Sequence, residues 1–355
     1  MGGGAKARYG WIDLMRGTAV ILVIMMHSQF AISIRYEGLW MWISILSEYL
    51  APFRMPVLMF LSGLMLVRSM NKGGRRFFVG KLKNIVHPYI VWTFVALLLY
   101  YARFVLLGEP MPEELFPLLI HPYNYLWFLY CLIIYYVVAY FLFRLRGAWP
   151  PIIAAACYLL YYAVTSRYAP QLLLIPHEDK LVGFAPALPA KIVAYALFFM
   201  LGGWLGENLD RFVSRLAGVH PLIVWALAGL CLLGFMLPFT PLSPVYILIS
   251  LLSLIPLMRL AMVGWLQRCT GALQWCGRQS IVLYVGHIPV LLVAINVVYR
   301  ALPEADANLA FLILFCIALS SCCVLAWLSQ RLSIVRFLFA WNVDRGATGA
   351  QRVAG

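Results

Sequence analysis

An acid, a guanidinium and an imidazole stand at helical spacing near the start of the chain, at Asp13, Arg16 and His27. Arg16 and His27 are eleven positions apart, or three helical turns plus about 20°, so both side chains leave one face about 16 Å apart along the axis. Asp13 lies one turn before Arg16 on that face and can pair with it. An imidazole can take a proton from a hydroxyl, and a guanidinium can bind a phosphate or a carbonyl oxygen. The spacing therefore favours acid–base chemistry along one helix face.

The helix that must position these residues is apolar. The residues between Gly17 and His27 are apolar or small, which predicts a first membrane-spanning helix over 12–34. An ionisable side chain is costly in lipid, so His27 is expected to face the protein or a wet cavity. Plainer interpretations stay open, because Arg16 alone could anchor the helix at the head groups and His27 could be a packed polar group. The shared face of the two side chains favours a functional site.

The composition predicts a membrane protein. Of the 355 residues, 64% are hydrophobic and 11% are charged, against about 25% charged residues in soluble domains. We predict an all-α polytopic fold of about ten transmembrane helices with both termini in the cytoplasm, formed by residues 1–335 and followed by a basic tail, 336–355. The net charge of +14 comes from lysines and arginines in alternate short loops, as membrane insertion requires, so nucleic acid is not an expected partner.

The predicted spans alternate between basic loops, expected inside, and acidic loops, expected outside. They are 12–34, a broken pair 39–50 and 53–67, then 85–107, 124–143, 149–165, 192–206, 221–237, 245–260, 280–299 and 309–328. Pro52 and Pro56 are expected to break the second span. Small residues at 202, 203 and 206 are expected to allow close helix contact. The eight cysteines show neither a disulfide nor a metal-binding pattern, and no metal site is predicted.

Further ionisable and aromatic residues lie at or near membrane depth. Glu48 and Arg54 could pair with each other or line the cavity that His27 faces, and the two interpretations weigh equally. Trp127 could stack on a sugar, although aromatic residues at the start of a span more often form the interfacial belt. His287 is a second imidazole near the predicted site, for which a packed core role is the alternative. No cleavable signal peptide is visible before the first span.

Together these features resemble acyltransferase family 3, whose members are integral membrane enzymes that move acyl groups onto sugars and other hydroxylated acceptors. The resemblance covers nearly the whole chain and rests on four motifs in order. They are Asp13 with Arg16-Gly17 and His27; Arg54-Met55-Pro56 leading to Ser62-Gly63; Arg75-Arg76 leading to Pro88-Tyr89 and Trp92; and Trp127-Phe128-Leu129 with Tyr284 and His287. Arg54 stands where a histidine is common in the family. No hydrolase-like domain is expected after the last span.

The resemblance implies an O-acyltransferase that uses acyl-CoA, with acetyl-CoA the expected donor, and a saccharide or glycolipid of the cell envelope as acceptor. His27 would be the general base, Arg16 would bind the donor, and Asp13 would orient Arg16. Arg75, Arg76, Lys81 and Lys83 would hold the CoA phosphates, and for each of them the positive-inside rule offers a plainer explanation. Glu48, Arg54, Trp127, Tyr284 and His287 would contact the acceptor.

The expected setting is a bacterial plasma or inner membrane, with membrane lipid as a partner. The sequence leaves the oligomeric state open, with a homodimer as one option. A transporter of a lipid-linked sugar or small polar metabolite is the competing hypothesis, in which the intramembrane charges would form a pathway. It predicts internal repeats between the two halves, and the sequence shows none. A purely structural or sensory protein would leave the alignment of Arg16 and His27 unexplained.

Overall fold

The predicted all-α fold is confirmed. The computed structural model describes residues 9–107, 124–145, 147–170, 173, 188–236 and 242–341, and this part of the chain is helical and contains no strand. Seventeen α-helices follow one another in this part, with a π-helical turn before α6 and a 3₁₀ turn before α7. They are α1 Gly10–Ser33, α2 Met41–Tyr49, α3 Ala51–Leu64, α4 Leu66–Met70, α5 Gly74–Lys81, the π-helix Leu82–Val86, α6 His87–Leu107, the 3₁₀ turn Asn124–Leu126, α7 Trp127–Leu142, α8 Trp149–Tyr168, α9 Leu188–Glu207, α10 Leu209–Ala217, α11 Pro221–Phe235, α12 Pro244–Ala261, α13 Gly264–Cys269, α14 Gly271–Arg278, α15 Ser280–Ala301, α16 Ala307–Arg331 and α17 Ser333–Phe337.

Seven helices of the described part are long and apolar enough to cross a membrane, or eight if the bent pair α10 and α11, which meet at 93°, forms one span. The chain is therefore a multi-pass membrane protein. Helix α7 has 16 residues, a length of about 24 Å at 1.5 Å per residue, which is less than the roughly 30 Å hydrocarbon core. The count of ten crossings and the cytoplasmic placement of both termini stay predictions.

Helix α1 lies at the centre of the bundle. It packs against α3, α14, α15 and α16, and residues such as Val20 and Ile24 on it are fully buried. Its crossing with α14 is close because each helix supplies a glycine: a Cβ on Gly17 would lie 1.9 Å from the carbonyl oxygen of Leu273, and one on Gly277 would lie 1.8 Å from that of Asp13. The helix that carries the predicted chemistry is thus held by backbone contact.

A second close crossing joins α3 to α9. A Cβ on Gly63 would lie 2.0 Å from the carbonyl oxygen of Phe199, and Cβ atoms on Gly202 and Gly206 would lie 2.2 Å and 2.4 Å from those of Phe60 and Leu64. The predicted role of the small residues of α9 in close helix contact is confirmed at these two glycines. Small residues let helix backbones approach in lipid, where packing replaces the hydrophobic effect as the driving force.

Gly202→Ala should destabilise the fold by about 3 kcal/mol, because the methyl group must push two backbones apart. The measurement is the midpoint of thermal unfolding in a fixed detergent. Gly229→Ala is the matched control, since Gly229 lies inside α11 and no atom of the described residues lies within 4 Å of its Cβ position. We expect that control to unfold at or slightly above the wild-type temperature. Equal midpoints for Gly202→Ala and the wild type would show that this crossing is not tight.

Two features of the predicted spans differ from the structure: the effect of Pro56 and the start of the sixth span. The break in the second span falls at Leu50, with a proline in the first turn of α3, but Pro56 lies inside α3 and does not interrupt it. A proline one turn into a helix removes only one further hydrogen bond, and neighbouring helices can absorb the change. The sixth span begins at Leu188 and not at 192, which places Lys191 inside α9.

The predicted basic loop 68–84 is wrong for most of its length. Residues from Gly74 onward are helical, and Gly74–Leu99 forms one of the candidate spans. Lysine and arginine are good helix formers, and here they continue the apolar helix α6 through the π-helical turn. Gly73 precedes α5 with φ of +92°, a conformation that glycine adopts without steric cost. The basic residues of this segment are therefore carried on a helix.

The first residues of the predicted tail pack onto the bundle. The Lys83 carbonyl accepts a 3.0 Å hydrogen bond from the Trp341 backbone N–H, and the Leu338 carbonyl accepts one of 3.0 Å from Trp92 Nε1. His87 Nε2 lies 2.6 Å from the Phe337 carbonyl oxygen. Residues 342–355 lie outside the described part, and the division at 335 stays a prediction.

Candidate active site

His27 meets His287 inside the bundle. His287 Nε2 lies 3.2 Å from His27 Nδ1, and the ring centroids are 4.9 Å apart. His287 is fully buried on α15, and His27 is partly buried on α1. The two predicted imidazoles, which are 260 residues apart in the chain, thus come together. His287 contacts the candidate base directly.

Backbone carbonyls assign the tautomers of this pair. His27 Nδ1 lies 3.0 Å from the Val23 carbonyl oxygen, and His287 Nδ1 is hydrogen-bonded to the Tyr284 carbonyl. A carbonyl only accepts, so both Nδ1 atoms carry the proton of the neutral ring. His287 Nε2 is then an acceptor, and it faces the His27 Nδ1–H. His27 Nε2 is left with its lone pair, as a general base requires.

Two buried cations lie within electrostatic range of His27, at Arg54 and Lys191. Arg54 is 6% exposed and Lys191 is 8% exposed. Arg54 Nη1 donates to Ser47 Oγ at 3.1 Å. Buried cations near a reacting centre can stabilise negative charge that develops on a carbonyl oxygen, because little water is present to screen them.

An aromatic wall continues from Lys191. The Lys191 Nζ stands 5.1 Å from the centroid of the Trp127 ring, within cation–π range. Trp127 in turn stacks on Tyr195, with centroids 5.4 Å apart and an interplanar angle of 28°. Trp127 is partly buried and lies inside the bundle beside Lys191, so it is positioned by protein contacts on two sides.

Arg16 lies at the other end of α1, against α3. Its Nη2 donates to the Leu61 carbonyl at 2.9 Å. Arg16 is within electrostatic range of Lys81 and Tyr136, and Lys81 Nζ stands 3.7 Å from the centroid of the Tyr136 ring. A cavity of about 290 Å³ opens beside Lys81 and Tyr136, and its other lining residues, such as Ile85 and Ile133, are apolar. Lys81 and Tyr136 thus line the cavity, and Arg16 lies within electrostatic range of both.

The remaining predicted residues are placed as follows. Asp13 is buried on α1 at the crossing with Gly277. Arg75 and Arg76 are exposed on α5, and Lys83 is partly buried in the π-helix. The Glu48 side chain lies outside the described part.

Tyr284 is buried, and its hydroxyl donates to the Tyr125 carbonyl. The Tyr284 hydroxyl thus joins α15 to the turn before α7.

Lys191 is the residue that the sequence reasoning missed. The predicted spans end at 165 and begin again at 192, which leaves Lys191 in the connection between them. A helix that starts at Leu188 puts this lysine in its first turn, next to Tyr195 one turn further along. The detectable signal was Pro189 at the start of an apolar helical pattern, since proline favours the first turn of a helix.

The comparisons with known proteins give one match. The family model Acyl_transf_3, described as an acyltransferase domain, matches residues 9–327. Neither the search of curated proteins nor that of solved structures gives a match. The matched range includes α1 with Arg16 and His27, the cations of α3 and α9, and His287 on α15. The chain therefore belongs to acyltransferase family 3 and is a multi-pass membrane acyltransferase of a family that generally transfers acyl groups to saccharides.

Proposed function

We propose that this protein is an O-acyltransferase that moves an acyl group from acyl-CoA to a hydroxyl of a saccharide or glycolipid of the cell envelope. The observation that carries the proposal is the His27–His287 contact, with a free lone pair on His27 Nε2 and two buried cations nearby. Acetyl-CoA is the expected donor. A bacterial plasma or inner membrane is the expected location, because envelope saccharides are assembled there.

The reaction uses His27 as general base. Its Nε2 takes the proton of the acceptor hydroxyl as the oxygen attacks the thioester carbonyl carbon. Arg54 and Lys191 stabilise the oxyanion of the tetrahedral intermediate. The carbon–sulfur bond then breaks, and the CoA thiolate takes the proton back from the imidazolium, which leaves an ester and free CoA. Every proton that His27 accepts is returned within one turnover.

The donor is proposed to enter from the end of the bundle that carries Arg16. The positive-inside rule assigns this end to the cytoplasm, where acyl-CoA is found. Arg16 and Lys81 supply cations, and the cavity beside Tyr136 supplies apolar space for the pantetheine arm. Arg16 and His27 are about 16 Å apart along α1, which is the reach of that arm, so the nucleotide could stay outside while the acyl group reaches His27.

The acceptor is proposed to enter from the opposite side, along the wall formed by Trp127 and Tyr195. Aromatic faces suit the apolar face of a sugar ring, and Lys191 and Arg54 can donate hydrogen bonds to hydroxyl groups. In this proposal, Lys191 contributes both to the wall and to the charge near the reacting carbonyl.

The test is acyl transfer by the purified protein in lipid nanodiscs. Incubation with acetyl-CoA and an envelope lipid extract should release free CoA thiol and place a labelled acetyl ester on a glycolipid. A transporter would instead move labelled sugar across proteoliposomes without consuming acetyl-CoA. Thiol release no faster than from empty nanodiscs, with the extract present, would refute the acyltransferase proposal.

Arg16→Ala should raise the KM for acetyl-CoA about tenfold while changing kcat less, since it removes a charge-assisted contact made at donor binding. The measurement is thiol release over a range of acetyl-CoA concentrations. Arg35→Ala is the control, because Arg35 is exposed just beyond the far end of α1 and stands over Tyr299. An unchanged KM in Arg16→Ala would show that Arg16 does not bind the donor.

A further inference from the structure

A second cavity lies at the same end of the bundle as Arg16. It has a volume of about 520 Å³, within the range of ligand-binding pockets. Its polar lining comes from Asn84 of the π-helix, Gln279 at the start of α15, Ser329 and Gln330 at the end of α16, and Arg336 of α17. We call it the Arg336 cavity. Three carboxamides and one guanidinium in a single pocket are suited to a polar, anionic ligand.

Arg336 is fixed in place with part of its donor capacity unused. Its Nε donates to the Ser329 carbonyl at 3.1 Å and its Nη2 to the Gln330 carbonyl at 2.7 Å. These bonds hold the guanidinium on the last turn of α16. The Nη1 atom is buried and has no hydrogen-bond partner in the described part of the chain. A buried donor without a partner is costly, and an anion in the cavity would satisfy it.

The start of α15 adds a second source of positive potential. This helix has 22 residues, and its N-cap residue Gln279 makes no capping hydrogen bond with its side chain. The first N–H groups of a long helix carry partial positive charge and bind phosphate readily. Gln279, Ile281 and Val282 all line the Arg336 cavity, so the helix start borders the same space as the guanidinium.

The cavity adjoins the proposed donor entrance. Ile85 lines both the Arg336 cavity and the smaller cavity beside Lys81, so the two cavities lie next to each other. Gly277 contacts the Asp13 backbone, two residues before Gln279. A ligand with its phosphate at Arg336 could therefore extend towards Lys81 and Arg16.

We infer that the Arg336 cavity binds the 3′-phosphorylated adenine nucleotide of CoA. The 3′-phosphate would sit between Arg336 and the start of α15, and the carboxamides of Asn84, Gln279 and Gln330 can pair with the adenine edge, as amide side chains pair with adenine elsewhere. This inference rests on the proposed function. Arg75 and Arg76 were expected to hold the CoA phosphates but lie exposed on α5. The Arg336 cavity offers a different site for the nucleotide.

The test is equilibrium binding to the full-length protein in nanodiscs of zwitterionic lipid. The probes are CoA and adenosine 3′,5′-bisphosphate, which contains the nucleotide without the pantetheine arm. We expect the bisphosphate to displace CoA from the wild type. Arg336→Met should weaken both ligands about tenfold. Arg331→Met is the matched control with the same change in charge, since Arg331 is exposed and stands over Trp327; its Kd values should match the wild type.

Arg336 also holds the end of α16, so Arg336→Met could weaken binding by disturbing the fold. A second variant separates that effect from the loss of a ligand contact. Gln279→Leu removes a carboxamide from the cavity and should weaken the bisphosphate about threefold without changing the melting temperature. The inference is overturned if the bisphosphate does not compete with CoA, or if both variants bind it as the wild type does. Equal competition by inorganic phosphate, or by anionic lipid in the nanodisc, would reassign the cavity to a simple anion or a lipid head group. Failure of the proposed function would look different, because the wild type would then bind no CoA.

Discussion

His27→Ala should lower acyl transfer by about 10²–10⁴-fold, the contribution typical of a general base. The hydrogen bonds of His27 Nδ1 leave the lone pair of the neutral ring on Nε2. Two buried cations, Arg54 and Lys191, also lie within electrostatic range of the His27 ring. The measurement is the kcat for release of CoA thiol at saturating acetyl-CoA and acceptor. The Kd for CoA should stay near the wild-type value, since the donor contacts lie about 16 Å away along α1.

Retained CoA binding also reports that the variant is folded. His220→Asn is a matched control, because His220 lies at the start of α11, where its Nδ1 caps the helix by accepting from the Leu222 N–H, and asparagine can do the same. We expect full activity from that variant. Thiol release by His27→Ala at the wild-type rate would show that the chemistry takes place without this imidazole, and the proposed mechanism would then be wrong.

The helical fold and the placement of His27 could be predicted because they depend on local pattern. A run of apolar residues specifies a span, and the 3.6-residue period specifies which side chains share a face. The glycines of α9 were equally visible, since small residues in an apolar helix favour close contact. The family match over residues 9–327 agrees with the predicted membrane acyltransferase fold.

The contacts between the site residues could not be predicted, because they depend on packing between distant helices. The approach of His287 to His27 joins α15 to α1, and no period in either segment indicates that contact. Lys191 follows Pro189 by two positions, and a basic residue so close to a proline resembles a loop, although proline also begins helices. The sequence predicts Arg336 in a tail, whereas its side chain packs on the last turn of α16.

The hydrogen-bond chain gives His287 a role that sequence reasoning could not have assigned. The sequence suggested acceptor contact, but the side chain is fully buried and faces His27. By accepting from His27 Nδ1–H, it helps to fix the ring orientation and the tautomer that exposes the Nε2 lone pair. We therefore regard His287 as a positioning residue, whose effect passes through His27.

His287→Leu should lower kcat by about 10²-fold with little change in the KM for acetyl-CoA, because a misplaced base of this kind costs about that factor. His287→Gln should recover most of the activity, since the amide oxygen can accept from His27 Nδ1–H while the amide nitrogen donates to the Tyr284 carbonyl. A purely packing role predicts the reverse order, because leucine fills an apolar core better than a polar amide does. The melting temperatures of the two variants are measured first, to show that both are equally stable. Their rates of thiol release then decide between a positioning role and a packing role for His287.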